Sequence, residues 1–84
     1  MTKIHLEIVT PERAILKEEV DEVVVPGLLG EFGVLPGHTT YLTELGQGRL
    51  TYTKGTESKT LNLTGGVAEV CGDRVVVLAD SVGD

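Results

Sequence analysis

The stretch Val67-Ala68-Glu69-Val70-Cys71-Gly72-Asp73-Arg74-Val75-Val76-Val77-Leu78-Ala79 decides the fold class. Two β-rich runs, Val67–Cys71 and Arg74–Ala79, flank Gly72-Asp73. Glycine at the first position of a two-residue connection supplies the positive φ of a type II′ turn, whose twist matches that of the strands it joins. The segment therefore reads as an antiparallel hairpin. Val75–Ala79 is apolar at every position, which predicts a central strand covered on both faces. This is also the longest purely apolar run in the chain, far short of the roughly 20 residues of a membrane-spanning helix.

Outward from this hairpin the signal stays at period two, broken by glycine and proline, and no segment holds a helical period. Ile4, Leu6 and Ile8 alternate with Lys3, His5 and Glu7, a half-buried strand. Thr10-Pro11-Glu12-Arg13 reads as a turn, because Pro11 presets φ and pushes Thr10 to an extended shape. In residues 14–25, Leu16 and Val20 share one face while Val23 and Val25 share the other. The phase slip between them marks a bend where a long strand crosses from one sheet to the other. It falls among Glu18, Glu19, Asp21 and Glu22, which read as a solvated edge that blocks aggregation. Leu50 and Tyr52 point inward from a strand at 49–54, and Leu61 and Leu63 from one at 59–64, with Gly55–Ser58 as a loop of about four residues between them. Gly65-Gly66 marks a bulge or a tight crossing. The count is about seven to ten short strands and no helix, an all-β flattened sandwich or barrel.

The 84 residues suffice for one domain, residues 1–84, with one modest core. A hydrophobic fraction of 40% with 24% charged residues is that of a globular chain. Seven basic against thirteen acidic residues leave a net charge of −6, which a nucleic acid backbone would repel. Residues 1–15 carry no basic start followed by an apolar block, so no secretory signal is read there. The single cysteine, Cys71, makes no internal disulfide and reads as a buried structural thiol. Phe32, Tyr41 and Tyr52 are the only aromatic residues, thin support for a stacking surface. Asn62-Leu63-Thr64 is a chance match to a glycosylation acceptor.

Catalytic constellations are missing from the pattern. Gly27, Gly30 and Gly33 are spaced by three, which suits no phosphate-binding loop. His5 lies on a polar strand face, and His38 has no nucleophile or orienting acid in view, so a hydrolase built on it is not supported. Neither metal nor cofactor is expected. The glycine-rich segment Pro26–Gly37 remains, with Leu28, Leu29, Phe32 and Leu35 among its glycines and prolines. It reads as a structured loop with a short strand at Phe32–Leu35. From the residues alone it either closes one end of the sandwich or carries function.

The same segment, Val25-Pro26-Gly27-Leu28-Leu29-Gly30-Glu31-Phe32-Gly33-Val34-Leu35-Pro36-Gly37-His38-Thr39, resembles the signature of the epsilon subunit of F-type ATP synthases, roughly G-E-[FL]-G-[IV]-[LY]-P-G-H-[AT]-P. Leu6-Glu7-Ile8-Val9-Thr10-Pro11, Thr64-Gly65-Gly66-Val67-Ala68-Glu69-Val70 and Val75-Val76-Val77-Leu78-Ala79-Asp80 agree in the same order, so the resemblance spans nearly the whole chain. Thr40 stands where the family usually has proline, a change expected to loosen the start of that strand. The resemblance implies a flattened ten-stranded sandwich at the foot of the gamma subunit, resting on the polar loops of the c-ring. Such a rotor part makes no chemical bond and inserts no segment into the membrane. It implies a ring-facing group of Glu31, Phe32, Gly33, Val34 and His38, and by weaker analogy a gamma-facing group of Thr10, Tyr41, Leu42 and Thr43. It also implies a place at the cytoplasmic face of a bacterial inner membrane. Family members usually continue into two helices that sense nucleotide or inhibit hydrolysis. Because the sequence stops shortly after Asp80, neither role is carried over. The competing expectation is a free-standing sandwich that takes a small ligand or peptide at the glycine loop or an open sheet edge.

Overall fold

Alternation of apolar and polar residues dictates the strands, and glycines set where they turn. The structure, a computed structural model, describes residues 3–28, 30–34 and 38–83, with the backbone alone for Phe32, His38, Thr39 and Tyr41. Ten strands follow in order: β1 (Ile4–Val9), β2 (Ala14–Val20), β3 (Glu22–Gly27), β4 (Gly30–Val34), β5 (His38–Leu45), β6 (Gly48–Lys54), β7 (Glu57–Leu63), β8 (Gly66–Gly72), β9 (Arg74–Ala79) and β10 (Val82–Gly83). Among the described residues there is no helix.

The strands form one sheet in the order β10-β7-β6-β3-β5-β8-β9-β1-β2, with β4 on β3 outside that path. Between β3 and β5 the ladder narrows to a single pair, Gly27 with Leu45, and there the sheet folds over on itself. One half is β4, β3, β6, β7 and β10. The other is β5, β8, β9, β1 and β2. The chain crosses between halves at Asp21, where β2 ends and β3 begins, as the slip between Val20 and Val23 predicts.

The core lies between the halves. Ile4, Leu6, Ile8, Val75, Val77, Val70 and Ala68 come from one side, and Val23, Val25, Val34, Leu50, Tyr52 and Leu63 from the other. Each fully buried Ile, Leu or Val contributes about 1.5–3 kcal/mol relative to exposure. Strand β9 is central, between β8 and β1 and parallel to β1. Cover on both faces is not observed: Val75, Val77 and Ala79 are buried, whereas Leu78 is 52% exposed. Among the described residues, one face of this strand lies in the core and the other is open at Leu78.

Four further expectations change. Pro26 and Gly27 lie inside β3, because β3 and β4 form a hairpin with Gly27 opposite Gly30. Pro26 fits because its polar side turns away from β4: its carbonyl accepts a hydrogen bond from the Gly46 N–H at 2.9 Å. The short strand expected at Phe32–Leu35 is β4, and Leu35 lies outside the described residues. The β6–β7 loop is two residues, Gly55-Thr56, since Lys54 pairs with Glu57 and Gly55 takes φ +63°. Cys71 is exposed, because the alternation that buries Val70 turns its neighbour outward.

The acidic run at 18–22 is an edge, as read, but it is also the seam that closes the fold. Leu6 lies opposite Glu18, so the Glu18 carboxylate stands on the inner side of the sheet's last strand. It meets Lys54 Nζ at 3.1 Å and the Tyr52 hydroxyl at 3.5 Å, joining β2 to β6. Burial and then the Glu18 charge push the Tyr52 hydroxyl above its ordinary range. Asp21 accepts from Lys3 Nζ and, at 2.7 Å, from the Gly55 N–H, while its own N–H donates to Thr53 O at 2.8 Å. The Lys3 hydrogen bond first, and the Gly55 hydrogen bond second, hold the Asp21 carboxyl below its ordinary value.

Gly66 leaves no room for a side chain. A Cβ there would sit 2.1 Å from Leu78 O and 2.9 Å from Ala79 Cα, at φ +131°. Gly66→Ala should cost about 2–4 kcal/mol. Gly55→Ala, at a left-handed φ of +63° with open space around it, should cost about 1 kcal/mol. Urea denaturation of both variants checks this, and equal losses would contradict it. Asp21 makes the second prediction. A carboxyl whose folded pKa is depressed stabilises above its unfolded pKa, and that contribution disappears as pH falls through the folded value. Asp21→Asn should therefore lower stability near neutrality and flatten the acid limb below about pH 4 in thermal melts taken across pH.

Candidate docking surface

Strand parity sorts the outer faces of the two halves into different chemistries. On β6 and β7 the outward pairs are Arg49 with Asn62, Thr51 with Thr60, and Thr53 with Ser58. The Thr51 and Thr60 hydroxyls are 3.2 Å apart. These pairs are polar throughout, with Val24 of β3 beside Thr51. On the other half, the outward rows from β1 across β9 and β8 to β5 run Val9, Leu78, Val67, Glu44 and then Glu7, Val76, Glu69, Leu42.

The apolar residues gather at one end. Leu28 is brought there by its N–H donating to Glu44 O at 3.0 Å, which ties the β3–β4 hairpin to β5. A shallow groove is lined by Leu28, Leu42 and Val67, together with Thr43, Glu44, Gly27 and Gly30. Register carries it on to Leu78 and Val9. Leu28 is 61% exposed, Leu42 67% and Leu78 52%. Three exposed leucines thus share one strip of the surface. The far end of the same face is ionic: Arg74 lies 3.6 Å from Glu7, and His5 Nδ1 lies 3.5 Å from Glu19.

The residues singled out from the sequence divide on this map. Leu42 is on the outward face. Thr43 is half-buried and pairs with the inward Ala68, so neighbouring residues of β5 serve opposite sides. Thr10 is buried, and its hydroxyl donates to Arg13 O at 3.1 Å within the β1–β2 turn. It borders the strip beside Pro11 and Leu78. Tyr41 pairs with Val70 by backbone, and its side chain lies outside the described residues. Of the other group, Glu31 and Gly33 are exposed on β4, while Val34 is in the core. The side chains of Phe32 and His38 lie outside the described residues. His38 opens β5 opposite Gly72, whereas the β4 hairpin meets β5 at its other end, at Leu45. Glu31 and His38 are thus carried by different parts of the sheet.

Leu78, Val67 and Val9 were not singled out. Their signal was present: Val75–Ala79 is apolar on both parities, and reading that as two-sided cover concealed the open face.

The molecule is a flattened all-β sandwich with an apolar strip at one end of one outer face. Comparison with known proteins shows its family. The family described as ATP synthase, Delta/Epsilon chain, beta-sandwich domain, matches residues 3–83, and the chain belongs to it. The chain is 51% identical over 79 residues to "ATP synthase epsilon chain 2" of Syntrophotalea carbinolica, covering 94% of this chain and 57% of that protein. It is 52% identical over 81 residues to an "ATP synthase epsilon chain" of Dehalococcoides mccartyi, covering 96% of this chain and 58% of that one. It thus spans little more than half the length of these curated relatives. Among solved structures, a chain of the Euglena gracilis mitochondrial ATP synthase, in an OSCP/F1/c-ring assembly, superposes with a TM-score of 0.93 at 26% identity, over 99% of this chain and 54% of that one. A chain of the Tetrahymena thermophila central stalk and c-ring shares the fold, with a TM-score of 0.83 at 17% identity, over 99% of this chain and 67% of that one.

Proposed function

We propose that this domain is a non-catalytic docking part of an ATP synthase central stalk. It binds the gamma subunit through the outer face of β1, β9, β8 and β5, and it turns the β3–β4 hairpin with Glu31 and Gly33 toward the polar loops of the c-ring. The observation that carries the reading is the strip of Leu28, Leu42 and Leu78 on one outer face, in a chain of this family. The stalk and ring named for the solved neighbours support the partners. The domain lies on the membrane's cytoplasmic side, held there by the complex.

The two contacts differ in kind. A lasting interface of roughly 1,000 Å² or more draws its affinity from apolar area, which the leucine strip supplies. An exposed ion pair contributes about 0–1 kcal/mol, so Glu31 against basic ring loops sets register more than strength. The work of the module is rigid adhesion: it makes the ring and gamma turn as one body, so that ion-driven rotation reaches the catalytic head as torque. A net charge of −6 suits a part that rests on basic loops.

Leu42→Arg puts a charge in the middle of the strip and should weaken gamma binding by about 2 kcal/mol or more, roughly thirtyfold in Kd. Co-purification and calorimetry with the cognate gamma subunit check this, and unchanged assembly would overturn the gamma-facing assignment. Glu31→Ala should leave gamma binding intact and weaken ring coupling by no more than about 1 kcal/mol. Proton pumping in reconstituted vesicles reads that effect, and a loss of gamma binding in the Glu31→Ala protein would contradict the division of labour.

A further inference from the structure

We infer that β4 is a strand-addition site: its open edge takes an extended segment of a partner chain that carries a Lys or Arg side chain beside Glu31. This deepens the reading of the β3–β4 hairpin as the ring-facing part of the domain, and it rests on that reading.

The argument begins with topology. β4 lies off the main strand path, and among the described residues β3 is its only strand partner. Antiparallel pairs alternate between hydrogen-bonded and non-hydrogen-bonded positions. Pro26 fixes the phase, because it has no N–H and its carbonyl is taken by Gly46 N at 2.9 Å, on the side away from β4. Glu31 opposite Pro26, and Gly33 opposite Val24, are therefore the non-hydrogen-bonded positions. Their N–H and C=O groups point to the open side, while Gly30, Phe32 and Val34 close the ladder with β3. Such a row is a template for a further strand.

At the two ends of the strand path the open edges carry charge: β2 sets Lys17, Glu18 and Glu19 in succession, and β7, beyond the two residues paired with β10, carries Glu57 and Lys59. β4 instead carries exposed glycines at 30 and 33, where a second backbone can come close. Charge selects the partner. A Cβ on Gly33 would lie 3.8 Å from Glu22 Oε2, so the Glu22 and Glu31 carboxylates flank the exposed glycine edge. Neither makes an ion pair among the described residues. A cationic extended segment would gain both the backbone bonds and the charge match.

Gly33→Pro isolates the claim. It removes one outward N–H and leaves the β3–β4 ladder untouched. Gly33 is not in the left-handed region, its added Cβ meets only ordinary contacts at 3.8 and 4.0 Å, and the preceding Phe32 is already in a strand. A stalk reconstituted from this chain and its cognate gamma subunit is titrated with detergent-solubilised c-ring. Gly33→Pro should weaken ring binding about tenfold, and Glu31→Gln about fivefold or less. The amide protons of Glu31 and Gly33 in the unsubstituted chain should exchange more slowly once the ring is bound. A response to Glu31→Gln without one to Gly33→Pro would overturn strand addition and leave the hairpin contact standing. No response to either would overturn the hairpin contact itself. If Gly33→Pro disturbs the fold by circular dichroism, the exchange rates decide: slowing supports the inference, and unchanged rates overturn it. Ring-independent dimers of the stalk that Gly33→Pro dissolves would assign the edge to a second copy and overturn it as well.

Discussion

Strand β9 carries apolar side chains on both faces, and the sheet can bury only one of them. Val75, Val77 and Ala79 fill the space between the two halves, leaving Val76 and Leu78 on the outside. No described strand packs over the second face, where Leu78 is 52% exposed. Everything distinctive about the surface follows from that constraint. Val9, Val67 and Leu78 meet across the sheet by register, and the β3–β4 hairpin brings Leu28 to the same end. An apolar strip of this kind is a cost to an isolated domain and a source of affinity in an assembly.

Much of the fold was legible because alternation and glycine are local signals. The hairpin at Gly72-Asp73, the turn at Thr10–Arg13 and the sheet crossing near Asp21 could all be read from neighbouring residues. So could the close approach at Gly66, where the backbone of Leu78 leaves no room for a side chain. Pro26 and Gly27 misled because proline is usually excluded from strand interiors. Only the pairing partner shows that residue 26 stands where its missing N–H is not needed. The role of Glu18 was hidden for a similar reason. Alternation placed it on an acidic edge, but nothing local says that Tyr52 and Lys54, more than thirty residues away, close over it.

The candidate site was less legible than the fold. The glycine-rich segment drew attention through its composition, and its Glu31 and Gly33 are indeed exposed. Val34 came along by adjacency and belongs to the core. Leu42 and Thr43 are of opposite parity on β5, although both border the groove. A run of consecutive residues cannot describe a surface on a strand, since the pleat sends alternate residues to opposite faces. The apolar strip draws instead on residues from β1, β5, β8, β9 and the hairpin, which only the register assembles.

The central claim is that the face carrying Leu28, Leu42 and Leu78 is covered by the gamma subunit. Methyl NMR of the leucine-labelled domain, recorded before and after adding unlabelled gamma, tests it most directly. The account predicts large shifts or broadening at the methyls of Leu28, Leu42 and Leu78, with Leu50 and Leu63 in the core little changed. Tight gamma binding that leaves the methyls of those three leucines unperturbed would contradict it.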